Sequence, residues 1–160
     1  MPRIKYGSDC SGIEAPYIAL MKVLSKKDIQ HIFASDIDAH VRDMIKANYN
    51  QAALYNSVAE RPHTYVDFYF AGFPCQTFSI AGSRRGFEDV RGTVFFDIYA
   101  YLLTVKPKPK VVVLENVKGL LTHDQGRTFQ IIMDLLHELG VYKIDYKVMS
   151  PTLSCKLATT

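Results

Sequence analysis

The segment Gly72-Phe73-Pro74-Cys75-Gln76 places a cysteine just past an apolar run and just before a glycine-rich stretch. A thiol so placed can serve as a nucleophile where its surroundings favour the thiolate, and Pro74 fixes the backbone immediately ahead of it. A free cysteine is most often a small buried hydrophobe, so Cys75 alone does not carry that reading. Glu115-Asn116-Val117 follows the run KVVVL. A carboxylate at the rim of such a strand is expected to be partly desolvated, which raises its pKa and lets Glu115 hold or donate a proton to a base nitrogen. A single glutamate is more often a solvated acid or a cap, so Glu115 alone does not carry that reading either.

Two more stretches have the chemistry of a nucleotide site. Ser8-Asp9-Cys10-Ser11-Gly12 is a short polar turn ahead of a helical pattern, where free backbone N–H groups approach a ligand closely. Asp36 ends the second apolar run, a place where an acid accepts hydrogen bonds from ribose hydroxyls, and it is also a candidate helix cap. In SIAGSRRGFEDVRG, residues 79–92, Arg84, Arg85 and Arg91 are candidate phosphate contacts and the glycines allow closure; a solvated loop has the same composition. Lys106, Lys108 and Lys110 read as a solvated connection.

The elements that must position these residues alternate strand and helix. Strands are predicted at Arg3–Gly7, His31–Ser35, Val66–Ala71, Lys110–Leu114 and Tyr142–Met149. The fourth is a continuous apolar run suited to the middle of a parallel sheet, and the last alternates like a strand nearer an edge. Helices are predicted at Ile13–Leu24 with Pro16 in the first turn, Asp38–Tyr49 capped by Asp36 or Asp38, Thr93–Leu103, and Thr128–Leu139 stopped by Gly140. Gly72–Gly92 is a long loop, a length that is functional when it occurs inside a compact domain. The order implies an α/β fold, a Rossmann-like sheet with helices on both faces, whose ligands sit beyond the carboxyl ends of the strands. DCSG, GFPCQ and ENV all fall at such ends. The expected organisation is one domain over residues 1–150 and an unpatterned tail over 151–160.

Composition sets limits. The chain has 160 residues, 48% apolar and 22% charged, with nine Phe and ten Tyr, which argues against disorder. Its net charge of +3 permits a nucleic-acid partner without demanding one. Cys10, Cys75 and Cys155 form neither a disulfide framework nor a zinc pattern, so no metal is expected. The opening MPRIKYGSDC lacks a signal-peptide core and no run is long enough to span a membrane, so an intracellular setting with no membrane partner is expected.

GFPCQTFSIAG (72–82), GFEDVRGTVFFDI (86–98) and VVVLENVKGLL (111–121) resemble three successive motifs of the cytosine-5 DNA methyltransferases, in that family's order and spacing, and SDCSGIEAP (8–16) resembles its first motif. The resemblance runs from about Lys5 to about Met149. It implies a methyltransferase using S-adenosylmethionine on double-stranded DNA. Cys75 would attack C6 of a flipped-out cytosine and Glu115 would favour protonation at N3. Ser11, Gly12 and Ile13 would approach the methionine part of the cofactor, Asp36 would bind the ribose, and Ile37 would pack on adenine. Phe73 and Pro74 would flank cofactor and base, while Asn116 would position Pro74 and the loop. Gln76 and Ser79 would belong to the closing loop, with Arg91, Gly92 and Thr93 near its return. Restriction-modification is the setting this implies.

The chain departs from the family pattern in several places. Glu14 and Ala15 stand where the commoner first motif has two glycines, and a carboxylate there is expected to oppose the methionine carboxylate. Asn56 or Ser57 stands near an acid that contacts adenine, and Ala81 occupies a position that is often serine. The family's Gln- and Arg-rich motif, its target-recognition region and its last helix do not follow Met149. The expectation is therefore an N-terminal catalytic part that needs a complementing subunit. The alternatives are an inactive remnant, a transfer-RNA-type cytosine-5 methyltransferase, and a nucleotide-binding domain with a structural cysteine.

Overall fold

The computed structural model describes residues 2–49, 52–74 and 94–149. Five strands form one parallel sheet: β1 (Ile4–Asp9), β2 (Ile29–Ser35), β3 (Ala53–Tyr55), β4 (Phe68–Gly72) and β5 (Val111–Glu115), in spatial order β3-β2-β1-β4-β5. Helix α1 (Ala15–Val23) joins β1 to β2 by way of a short turn, α2 (Ala39–Asn48) follows β2, and α3 (Val94–Thr104) precedes β5. The chain forms two compact units, Met1–Val117 and Lys118–Thr160.

The pleat of β1 sorts the core of the first unit. Tyr6 faces Tyr17 of α1, His31 of β2 and Phe68 of β4, with ring centroids 5.4, 5.1 and 6.0 Å away. Gly7 faces the other side, where Phe33, Tyr69 and Tyr101 of α3 pack, the last two with centroids 4.8 Å apart. Both His31 and Phe33 are buried although they lie on opposite faces. Alternation would put them on one face. The register shift between Tyr6 and Gly7, which pair with His31 and Phe33, leaves Ile32 as the extra residue that reverses the parity. Helices thus cover both faces of the sheet, as the sequence predicts.

Local chemistry fixes the ends of the elements. Pro16 sits in the first turn of α1. Asp38, rather than Asp36, caps α2 by accepting the His40 N–H at 2.8 Å. Lys108 donates to the carbonyls of Leu102 and Leu103 at the end of α3, so this lysine of the 106–110 run is a C-terminal cap. Asp67 ties three strands together at the opposite end of the sheet. It accepts from the Lys5 N–H and the Tyr65 hydroxyl and pairs with Lys110 Nζ at 2.8 Å.

Three expectations change. β5 is an edge strand among the described residues, not a central one, and Val111 and Val113 are exposed on the face shared with α1. The three-residue β3 has no counterpart among the predicted strands, since it is too short to show a period. Tyr142–Met149 forms no strand. Alternation needs a paired neighbour and a face to bury, and Tyr146, Val148 and Met149 are exposed. Among its described residues, the second unit holds two short turns, Lys118–Leu121 and His123–Gly126, then α4 (Arg127–Glu138), with Phe129 packed edge-on against Tyr146. Residues 151–160 lie outside the described residues.

Candidate active site

The carboxyl ends of β1, β4 and β5 open into one groove of about 630 Å³, a size that suits a cofactor. Its upper wall is the turn Cys10–Ile13, with Gly72 of β4 and Glu115 of β5 opposite; Pro16, Ala19, Leu20 and Val23 of α1 line it lower down, facing Phe68, Phe70 and Val113. The lining is largely apolar. Gly72 pairs in register with Glu115. A Cβ on Gly72 would lie 3.4 Å from Glu115 Oε2 and 3.7 Å from the Cys10 carbonyl, so glycine lets the carboxylate and the turn close in on each other.

At the turn, Gly12 has a left-handed φ of 51° and open space where a side chain would be. Ile13 is exposed. Ser11 lines the groove, but its hydroxyl is directed inward, hydrogen-bonded with Ser8 Oγ at 2.8 Å, the Ser35 carbonyl at 3.1 Å and the Ser35 N–H at 3.2 Å. Its role is therefore to join β1 to β2, which leaves only its backbone to the groove. Glu14 overturns the expectation of a carboxylate opposing the cofactor. It is fully buried, accepting from Tyr6 and Ser8 beneath the turn, and forms no part of the groove lining. Burial, followed by Asp9 and Asp36, pushes the Cys10 thiol up to about 12, so this cysteine stays protonated.

Asp36 follows β2. Its carboxylate accepts the N–H of Gly12 from one oxygen and that of Asp38 from the other, both at 3.0 Å. Each oxygen keeps further accepting capacity. Arg42 of α2 reaches back to donate to the carbonyls of Asp36 and Ile37, at 2.7 and 2.8 Å, which shapes the segment that presents Ile37. Ile37 is 87% exposed, an apolar side chain held in solvent by a braced backbone.

Beyond β4, Phe73 is buried against Phe95 of α3 with centroids 5.5 Å apart, and Pro74 is exposed. Asn116 spans the gap from β5, its Nδ2 donating to the Phe73 carbonyl at 2.7 Å while its Oδ1 accepts the Val117 N–H. That bond holds the backbone two residues before Cys75. Glu115 is exposed rather than partly desolvated, because β5 is an edge strand with no neighbour on its outer side among the described residues. Cys75, Gln76, Ser79 and Arg91, with Arg84 and Arg85, lie outside the described residues.

The sequence gives no hint of one cluster. Asp9, the last residue of β1, is fully buried and bound by Arg61 through Nε at 2.7 and 2.9 Å. Tyr69 and Ser35 also donate to it. The Arg61 guanidinium lies between the rings of Phe33 and Tyr101, at 4.3 and 4.1 Å. Burial, then the Asp9 carboxylate, push the Tyr69 phenol well above its usual range, so it remains a donor. Fifty-two positions separate Asp9 from Arg61, so no local spacing could reveal the pair.

Comparison with known proteins gives consistent results. The family profile described as C-5 cytosine-specific DNA methylase matches residues 8–152. The Neisseria gonorrhoeae protein named type II methyltransferase M.NgoBI is 43% identical over 75% of this chain and 38% of its own length. Type II methyltransferase M.HgiCI of Herpetosiphon aurantiacus is 44% identical over 71% of this chain and 27% of its own. The chain thus spans well under half the length of these curated relatives. Among solved structures, S. pombe Dnmt2 methyltransferase superposes with a TM-score of 0.67 at 20% identity, over 85% of this chain and 42% of that one. The Entamoeba histolytica methyltransferase EhMeth superposes with a TM-score of 0.66 at 17% identity, over 95% and 48%. At these identities the structural likeness speaks for the fold.

Proposed function

From the premise that the chain belongs to the C-5 cytosine-specific DNA methylase family, we propose that it is the cofactor-binding and nucleophile-carrying part of a DNA (cytosine-5-)-methyltransferase. The observation that carries this is the meeting of three motifs in one place. The Cys10–Ile13 turn, Gly72 and Glu115 wall a single groove, and Asn116 grips the backbone just ahead of Cys75. Two relatives, M.NgoBI and M.HgiCI, carry the name type II methyltransferase, which supports a restriction-modification setting for this reading.

The residues fit S-adenosylmethionine. The open turn at Gly12 offers backbone to the methionine part, Asp36 has accepting capacity for ribose hydroxyls, and the exposed Ile37 offers an apolar surface to adenine. Phe73 and Pro74 flank the place where cofactor and base meet. The chain's residues then act on a cytosine flipped from double-stranded DNA. The Cys75 thiolate forms a bond to C6 while Glu115 holds a proton at N3, so that charge does not build up on the ring and C5 becomes nucleophilic. S-adenosylmethionine, when bound, supplies an electrophilic methyl group to that carbon. Loss of the C5 proton to a base and expulsion of the Cys75 thiolate restore the ring. By the family resemblance, Gln76, Ser79 and Arg91 serve the DNA side of the reaction. Reading of the target sequence falls to a further segment or subunit, since base edges must be reached by side chains that these motifs do not include.

Covalent trapping tests this reading. The chain is mixed with S-adenosylmethionine and duplex DNA carrying 5-fluorocytosine, whose C5 fluorine blocks the final elimination. A Cys75-dependent adduct, lost in Cys75→Ser, supports it. Failure to trap, both alone and after addition of the C-terminal part of a relative such as M.NgoBI, in a chain shown to be folded, refutes it.

A further inference from the structure

The turn between β1 and α1 has an unusual backbone. Cys10, Gly12 and Glu14 have φ of 50°, 51° and 59°, so three alternate residues are left-handed and two of them carry side chains. L residues disfavour that region, and it persists only where surrounding contacts impose it. At Glu14 those contacts come from its own side chain. Oε2 accepts the Tyr6 hydroxyl at 2.9 Å and Oε1 accepts Ser8 Oγ at 2.6 Å. His31 Nε2 lies 3.3 Å from Oε1, and the His31 ring stacks on Tyr17 of α1. Glu14, Tyr6 and Ser8 have no exposed surface. Ser8 is also hydrogen-bonded to Ser11, so one polar network runs beneath the whole turn. The backbone of Glu14 closes the turn through its N–H to the Ser11 carbonyl and starts α1 by accepting from Ile18.

A buried carboxylate in an aromatic core is costly unless its neighbours satisfy it, and here Tyr6 and Ser8 point straight at it. Glycine at position 14 would reach the same φ freely and leave it as freely. We propose that Glu14 is a positioning residue for the cofactor: anchored by Tyr6 and Ser8, it locks the Cys10–Glu14 turn in the form that presents Gly12 and Ile13 to S-adenosylmethionine. This rests on the cofactor reading above. The anchor replaces conformational freedom by pre-organisation, so the ordering of the turn is complete before the ligand arrives.

Two variants test it, Tyr6→Phe, which removes one bond to the carboxylate, and Glu14→Gln, which keeps the shape. Ile45→Val in the core of α2 serves as a control that lowers stability elsewhere. S-adenosylmethionine affinity is measured by calorimetry, and amide hydrogen exchange is followed over residues 10–15. Both variants are expected to weaken binding about tenfold, the loss of one hydrogen bond to a charged group, and to speed exchange in the turn but not in α2. The control is expected to change neither. Variants that bind and exchange like the parent overturn the proposal, as does a control that weakens binding equally. If Glu14→Gln fails to fold, Tyr6→Phe decides alone. A parent that binds no cofactor overturns the cofactor reading instead, and exchange still shows whether Glu14 holds the turn.

Discussion

Replacing Arg61 by methionine is expected to be among the most damaging single changes in the described chain. The substitution keeps most of the side-chain length but leaves Asp9 as a buried carboxylate without its cation. Removing one member of a buried pair costs about 3–5 kcal/mol. Tyr69 and Ser35 continue to donate to Asp9, which places the loss at the lower end, about 3 kcal/mol. The guanidinium also leaves its place between Phe33 and Tyr101, which adds about 1 kcal/mol. The sum, about 4 kcal/mol, corresponds to a fall in Tm of roughly 8–16 °C for a chain of this size. Thermal and urea unfolding followed by circular dichroism would measure it, with Asp9→Asn and the double variant completing a cycle. Since a neutral amide in place of the Asp9 carboxylate needs no cation, the double variant should cost about 2 kcal/mol less than the sum of the single ones. Additive losses, or an Arg61→Met cost below about 1 kcal/mol, would refute the view that the pair acts as a unit.

Further changes probe other parts of the fold. Burial raises the Asp67 carboxyl, but bonds from Lys110, the Lys5 N–H and Tyr65 outweigh it and hold the group down at about 2. Its stabilising contribution is therefore present above pH ~4 and lost as pH falls through 2. Because Lys110 is largely exposed, that contribution is set at about 1 kcal/mol, and Asp67→Asn should flatten the acid limb of a stability–pH curve by that amount. Cys10, with its thiol near 12, should react with iodoacetamide at pH 8 about three orders of magnitude more slowly than a free cysteine; labelling mapped by mass spectrometry at an ordinary rate would contradict its protonated state. Gly7→Ala would place a Cβ 2.6 Å from the Phe33 ring, so a loss of about 1–3 kcal/mol in urea titration is expected, and parental stability would mean that the ring moves aside freely.

What could be read in the sequence was set by short range. The apolar runs around Tyr6, Phe33, Phe70 and Val113, with helical spacing between them, were enough for a parallel α/β sheet, and the polar residues just past each run fell at strand ends, as parallel topology requires. What escaped depended on distant partners. Glu14 was expected to face the ligand, because nothing local shows that Tyr6 and Ser8 turn it inward. Asp9 gave no sign of Arg61, which approaches from beyond β3. Phe33 and His31 share a parity in the sequence yet face opposite ways, because Ile32 is inserted in the ladder. The KVVVL run reads as central on composition alone, but an edge and a centre differ in who sits beside them, and sequence does not list neighbours.

The strand order also governs how the chain can be made. β1 leaves the ribosome ahead of the other four strands but lies at the centre, flanked by β2 and by β4. Once β2 has emerged, the other side of β1 stays open while the stretch from Ser35 to Gly72 is synthesised, an interval of roughly 2–7 s at ~5–20 residues per second. Through that interval the apolar flank of a half-built sheet, Tyr6 included, is available to any passing strand. Growth temperature and chaperone supply during expression should therefore govern the yield of soluble chain more strongly than the final stability does, because the hazard belongs to the nascent chain and ends when β4 docks.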